Sequence, residues 1–183
     1  MRILLVSLCS NPLSELEFVR PIKQILSHHG IKSLIRHYIE ATLEDAELSE
    51  KIIICGAALK DAAFLENLSS LAWLRETDKP ILGIGSGSQA VMKIFNGKLI
   101  DKAKIGVFKV KVNRKNKLTD KKVFYAYFLT KKIARIVSPI VALAKAGALP
   151  CMVKHELREV YGCFFHPEVM NPEIILNFTL KTN

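Results

Sequence analysis

No apolar run in the 183 residues approaches the roughly 18 that a membrane-spanning helix needs, and this excludes a membrane protein of the helical kind. Internal repeats and low-complexity segments are also absent from the sequence. The opening segment Met1–Val6 is apolar and typical of a strand, so we expect no signal peptide. A chain of this length is most simply one domain, and we expect residues 1–183 to form it.

Cysteine is scarce, and its spacing excludes the common structural metal sites. The four residues, Cys9, Cys55, Cys151 and Cys163, include no pair at two-residue spacing, and the sequence gives no reason to expect a metal or another cofactor. They lie in or beside apolar segments, which predicts buried, reduced thiols. A cytoplasmic location follows as an expectation.

Acidic residues are outnumbered, with 17 Asp and Glu against 27 Lys and Arg, and the formal net charge is +10. Much of the excess lies between Lys98 and Lys132. The simplest interpretation is a solvated face around a hairpin; the alternative is a docking surface for an acidic partner or a polyanion such as RNA. Aromatic residues suited to base stacking do not alternate with these lysines, so nucleic acid is the less favoured partner.

Apolar strand-like segments alternate with helical spacing over the first 95 residues, as in a doubly wound, mostly parallel sheet flanked by helices. Within this part, residues 61–76 have the spacing of one helix. After Asn96-Gly97 the pattern changes, and 105–112 and 123–128 alternate like antiparallel strands. The sequence therefore predicts an α/β fold with a smaller antiparallel sheet from its second half.

A glycine-rich turn follows the apolar segment Ile81–Ile84. Gly85 and Gly87 give the backbone the freedom that a strand-to-helix reversal demands, and we expect the next helix to begin near Ser88, with that serine as its N-cap. Turns of this kind hold one residue above the edge of a sheet, where helix N-terminal amides can receive negative charge.

A second motif, Tyr-Gly-Cys-Phe-Phe-His-Pro-Glu-Val, occupies residues 161–169. With the turn, it resembles the class I (triad) glutamine amidotransferases, which have a flavodoxin-like fold. In that family a turn Gly-Ile-Cys-x-Gly-x-Gln carries the nucleophile and a strand ending Phe-His-Pro-Glu carries its base. The resemblance spans nearly the whole chain, but in the turn at residues 83–89 Gly85 stands where the family has cysteine.

The resemblance implies a role for each matching residue. His166 would be the base and Glu168 the carboxylate that orients it. The amides of Gly56 and Ser86 would form the oxyanion hole, with Gly87 in the same turn. Gln89 would help to hold glutamine. The family's Gly-Gly-Pro segment is replaced by Gly-Ala-Ala at residues 56–58, which puts the orientation of its amides in question.

Loss of a nucleophile in a comparable triad costs on the order of a millionfold in turnover, so we expect little or no glutaminase activity. The resemblance then implies a module that binds glutamine, a related amide or a synthetase subunit. The alternative is an active enzyme with a displaced nucleophile, either Ser86 or Cys55. Strand alternation places Cys163 on the face opposite His166, which makes that thiol a poor substitute.

Overall fold

The computed structural model of the chain describes residues 1–181, and within them nine strands form one mixed sheet in the order β2-β1-β3-β4-β9-β8-β7-β5-β6. The strands are β1 (Arg2–Ser7), β2 (Lys32–His37), β3 (Lys51–Ile54), β4 (Ile81–Ile84), β5 (Lys98–Val112), β6 (Val123–Arg135), β7 (Ile140–Ala146), β8 (Leu149–His155) and β9 (Val160–Cys163). Strands β2, β1, β3, β4 and β9 are parallel, and the other four continue the sheet antiparallel to their neighbours.

The parallel half confirms the α/β prediction, and its central strands are apolar segments buried in the core. In β1, β3 and β4, the segments Ile3–Val6, Ile52–Ile54 and Ile81–Leu82 are fully buried, as expected of strands covered on both faces. The predicted antiparallel part is not a separate sheet, because β9 pairs with β4 on one side and with β8 on the other. Strand β9 therefore joins the two halves.

The helices are α1 (Glu15–Phe18), α2 (Arg20–His28), α3 (Leu43–Glu47), α4 (Ala63–Glu66), α5 (Ser86–Ile94), α6 (Pro167–Met170) and α7 (Pro172–Leu180), with 3₁₀ segments at Pro12–Ser14 and Leu68–Arg75. Helix α5 packs against β4 and β9, and α2 packs against α6 and α7. No helix within residues 1–181 is both long enough and apolar enough to cross a membrane.

The single helix predicted over residues 61–76 is wrong. The α-helical part ends at Glu66, and Asn67 turns its side-chain amide back to donate a hydrogen bond of 3.0 Å to the Ala63 carbonyl. Asparagine competes in this way for backbone groups that a continuing helix would use. The chain then continues as the 3₁₀ segment, which still buries Leu71 and Leu74.

Candidate active site

The glycine-rich turn lies at the carboxyl end of β4, in the middle of the parallel half. Gly85 joins the strand to α5 with φ 55° and ψ −119°, a combination in the left-handed half of backbone space that glycine enters without steric cost. Its amide donates a 2.8 Å hydrogen bond to the Cys163 carbonyl on β9. The turn thus has the sharp strand-to-helix form that elsewhere presents a nucleophile.

The expectation that α5 begins near Ser88 is wrong by two residues, since the helix begins at Ser86 and Gly85 is its N-cap. The Ser88 hydroxyl is fully buried and lies 2.8 Å from the Gly83 carbonyl oxygen and 2.7 Å from that of Cys163. It therefore ties α5 to the ends of β4 and β9, a packing role in place of the predicted cap.

Gly87 is held in the turn by close packing. A β-carbon built there would lie only 2.1 Å from the Ile54 carbonyl oxygen on β3. No side chain fits at that distance, so the approach of α5 to β3 accounts for this glycine without a role in catalysis.

His166 and Glu168 follow β9 and are joined by a 2.7 Å hydrogen bond between Nδ1 and Oε1. Their side chains are 2% and 1% exposed. A carboxylate only accepts hydrogen bonds, so Nδ1 is the donor and a neutral ring carries its lone pair on Nε2. The backbone amide of His166 donates to the Tyr127 carbonyl of β6 at 2.8 Å, which fixes the position of the ring relative to the antiparallel half.

The imidazole is seated between two glycines at the ends of neighbouring strands. A β-carbon on Gly85 would lie 2.7 Å from both Cε1 and Nε2 of the ring. A β-carbon on Gly56 would lie 2.7 Å from Cε1. The space that a side chain at residue 85 would need is therefore taken by the imidazole of His166.

Aromatic side chains close the pocket around this ring. The ring of Phe18 lies 5.6 Å from the imidazole centroid and that of Tyr127 lies 6.3 Å away. The Nε2 atom has no hydrogen-bond partner in the part of the chain that the structure describes. Sequence reasoning missed Phe18, because an apolar residue at helical spacing carries no signal that it covers a site.

Ser86 and Gln89 face a different space. Together with Ala57, Ala58 and others they line a cavity of about 70 Å³. The Gln89 side-chain amide donates to Thr130 Oγ1 at 3.1 Å, whereas Ser86 Oγ is buried and has no partner within residues 1–181. The structure therefore groups Gly56, Gly85, His166 and Glu168 in one cluster and directs Ser86 and Gln89 to a cavity beside it.

Burial keeps the thiols near the site protonated. The Cys55 side chain is fully buried, and desolvation raises its pKa well above the ordinary value, with the charge of Glu168 adding to the effect. Desolvation likewise raises the pKa of Cys9 to about 11, and its Sγ lies 3.8 Å from the Gly56 carbonyl oxygen. The pKa of Cys163 is raised well above the ordinary value by burial. Because only the thiolate is an effective nucleophile, none of the three is activated.

We call the sharp turn at Gly85 the elbow. An elbow at the end of a parallel strand, facing an imidazole held by a carboxylate, defines the class of α/β proteins with a triad-type site. In this chain the residue at the bend of the turn is Gly85, which carries no side chain. The model of the family "Glutamine amidotransferase class-I" matches residues 14–178. The chain belongs to the class I glutamine amidotransferase family.

Solved structures with the same fold support this assignment at the level of architecture. A protein from Thermoplasma acidophilum, described provisionally as a GMP synthase subunit, superposes with a TM-score of 0.85 at 18% identity, over 97% of this chain and 92% of that one. A glutamine amidotransferase from Thermotoga maritima gives 0.73 at 14% identity, over 92% and 76%. One from Methylobacillus flagellatus gives 0.66 at 13% identity, over 91% and 70%. A search of curated proteins finds no match to this chain.

Proposed function

We propose that residues 1–183 form a single amidotransferase-like domain that does not hydrolyse glutamine and acts in the cytoplasm as a partner-binding or regulatory module. The observation that carries this proposal is the pairing of Gly85 with His166. The elbow has no attacking atom, and a β-carbon there would be 2.7 Å from the ring that would have to activate it.

The surroundings of the ring support the same conclusion. His166 is 2% exposed, so glutamine could not reach its Nε2 atom without movement of Phe18 or Tyr127. The neighbouring cavity of about 70 Å³ is small beside the roughly 300–1,000 Å³ typical of ligand pockets. The free, buried cysteines are in keeping with a reducing compartment.

Exposed apolar side chains on the two segments that flank the site support a protein partner. Leu13 and Leu16, which precede Phe18, are 72% and 63% exposed, and Val169 and Met170, which follow Glu168, are 57% and 42% exposed. Clusters of exposed apolar side chains commonly mark interaction sites. The similar protein from Thermoplasma acidophilum is described as belonging to a synthase, and we propose that the partner here is a synthetase subunit.

The direct test of the silent site is ammonia release from glutamine. We expect the chain and its His166→Ala variant to show the same background rate, measured with a coupled glutamate dehydrogenase assay. A rate above background that His166→Ala abolishes would overturn the proposal.

One observation favours a displaced nucleophile, namely the buried and unpartnered hydroxyl of Ser86. In this second candidate function the Ser86 hydroxyl would attack the carboxamide carbon of glutamine. The C–N bond would break, the serine proton would leave with the nitrogen as ammonia, and an acyl-enzyme would remain. Incubation with an electrophilic glutamine analogue, followed by intact-mass analysis of the chain and of Ser86→Ala and Cys55→Ala, tests it. Labelling that Ser86→Ala alone removes would support this candidate, and an unmodified chain would dismiss it.

The partner can be tested with surface substitutions that leave the core intact. We expect Leu16→Asp with Val169→Asp to abolish co-elution with a synthetase subunit that lacks its own amidotransferase domain. Leu157→Asp is the matched control, since Leu157 is 91% exposed in the β8–β9 connection. Equal binding by all three proteins would reject this surface as the interface.

A further inference from the structure

The connection between β5 and β6, residues 113–122, is an ordered platform that lies apart from the elbow. Leu118 is fully buried, and its carbonyl accepts a 2.9 Å hydrogen bond from the Asn177 side chain on α7. At its ends, the Val112 amide donates to the Lys122 carbonyl at 2.9 Å and the Asn113 amide donates to the Leu143 carbonyl at 2.8 Å. The backbone that carries the charges of this segment is therefore held in place.

A concave space of about 630 Å³ lies on this platform, and half of its ten lining residues are cationic. Asp120, the single acidic residue that the described part of the chain contributes to the lining, is paired with Lys181 at 3.0 Å. Lys121 is paired with Glu173 at 2.6 Å. The four remaining cations have no ion pair within residues 1–181. They are Lys111, Arg114, Lys115 and Lys122.

A fifth cation, Lys145, is brought to the same face by strand register. Lys111 on β5 lies directly opposite Lys145 on β7 in an antiparallel pair. Like charges in that position destabilise a sheet. Arg114 lines both the first space and an adjoining one of about 330 Å³ that Lys145 borders. We call Lys111, Arg114, Lys115, Lys122 and Lys145 the basic cradle.

The charge of the whole chain is concentrated in this region. Residues 98–132 contain twelve Lys and Arg and two Asp, whereas the rest of the chain contains fifteen basic and fifteen acidic residues. Residues 98–132 therefore carry a net charge of +10, and the rest of the chain is balanced. A solvated face explains exposed lysines, but it does not explain why like charges face one another across a strand pair.

We propose that the basic cradle binds a compact anion with two or more phosphate groups, either as free polyphosphate or as the phosphates of a nucleotide. Lysine and arginine give charge-assisted hydrogen bonds to phosphate oxygens. The volume falls within the roughly 300–1,000 Å³ of small-molecule sites. Among residues 1–181 no aromatic side chain lines the space, which favours phosphate recognition over the base stacking that single-stranded nucleic acid uses.

Calorimetric titration of the full chain with pyrophosphate, ATP, AMP and a single-stranded RNA oligonucleotide tests this site. We expect pyrophosphate and ATP to bind more tightly than AMP, with affinity falling as salt rises. In Lys111→Glu/Lys115→Glu, we expect affinity to fall about tenfold for each cation removed. Lys60→Glu/Lys93→Glu makes the same change in net charge at exposed residues elsewhere and should bind as the native chain does.

The arms of the titration separate the outcomes. Tighter binding of pyrophosphate than of ATP indicates a free polyphosphate, and tighter binding of ATP indicates a nucleotide; either supports the cradle. Binding of RNA alone, equal losses in the two double variants, or no binding of any probe would overturn it.

Thermal unfolding of a single variant tests whether the lysines of the cradle serve binding or the stability of the fold. Lys111→Glu replaces a repulsive pair with an attractive one across β5 and β7, so its midpoint of thermal unfolding should rise while its affinity for pyrophosphate falls. A variant that loses stability and affinity together would indicate damage to the platform and would count against the proposal.

Discussion

At residue 85 the turn carries only a hydrogen atom, and the backbone bends sharply there. The φ of 55° and ψ of −119° would strain any other residue. Glycine avoids that strain and leaves room for the ring of His166. The absence of a side chain therefore lowers the energetic cost of the turn in two ways.

Gly85→Ala measures the cost of backbone strain and of the close approach to His166 together, and two control glycines separate them. We expect it to lower the free energy of unfolding by about 1–3 kcal/mol, from strain and from the 2.7 Å approach to His166. Gly30→Ala and Gly147→Ala are controls, because both glycines have positive φ but nothing within 4 Å of a built β-carbon. Urea denaturation should show a larger loss at residue 85; equal losses would mean that the ring yields at no cost.

Gly85→Cys is expected to remain without glutaminase activity and to unfold more readily than the native chain. The new side chain would compete with the imidazole, which Glu168 holds at 2.7 Å and Phe18 covers. Ammonia release and thermal unfolding measured on the same preparation check both statements. A rate that depends on His166 would show that the ring moves aside and that the remaining site is complete.

At the scale of elements, one lysine side chain joins a strand to a helix that lies far from it in the sequence. The Lys51 ammonium at the start of β3 donates to the carbonyls of Phe178 at 2.8 Å and Lys181 at 3.0 Å, at the end of α7. A basic side chain in this position offers hydrogen bonds to carbonyls that the last turn of a helix leaves without intrahelical donors. Burial lowers the pKa of this lysine, and the nearby charge of Lys117 adds to that effect.

Lys51→Met tests that contact by removing the ammonium while keeping an unbranched side chain. We expect the free energy of unfolding to fall by about 1–3 kcal/mol, as when charge-assisted hydrogen bonds are lost. Lys51→Arg should retain part of the effect. Urea denaturation measures the difference, and an unchanged midpoint in Lys51→Met would mean that water replaces the ammonium.

Elements of the parallel half could be predicted because each buried strand is a short apolar run between turn residues, as in Ile52–Ile54 and Ile81–Leu82. The residues of the elbow and the His166–Glu168 pair were predicted because their motifs are local in sequence. The break at Asn67 was missed, since apolar spacing continues through it. The cover by Phe18 and the seating of the ring between Gly56 and Gly85 depend on contacts between distant segments, which no local pattern encodes.

At the scale of the whole molecule, one charged cluster connects the cationic hairpin to the centre of the sheet. Glu159 lies 2.6 Å from the ammonium of Lys117 and 3.2 Å from that of Lys154, and it accepts a 2.7 Å hydrogen bond from the Tyr161 hydroxyl. Burial acts to raise the pKa of Glu159, but these hydrogen bonds outweigh it and the pKa is lowered. The folded protein therefore favours the charged carboxylate.

The stability contributed by Glu159 should be present at neutral pH and lost in acid, because a group with a lowered pKa in the folded state binds its proton only below its ordinary range. We expect Glu159→Gln to lower the free energy of unfolding by about 2 kcal/mol at neutral pH. The difference from the native chain should shrink as the pH falls from about 5 to about 3. Urea denaturation across this range checks it, with the exposed Glu66→Gln as control. A difference that is constant with pH would contradict the assignment.

The imidazole between Gly56 and Gly85 would make the proposed loss of activity difficult to reverse. A sulfur atom introduced at residue 85 would enter space already filled, and the ring could retreat only by leaving its carboxylate or displacing Phe18. A single substitution there would therefore lower the stability of the fold before it gave any turnover. Under the proposed function, a gain of glutaminase activity would need at least two substitutions, one that supplies the nucleophile and one that makes room for the imidazole.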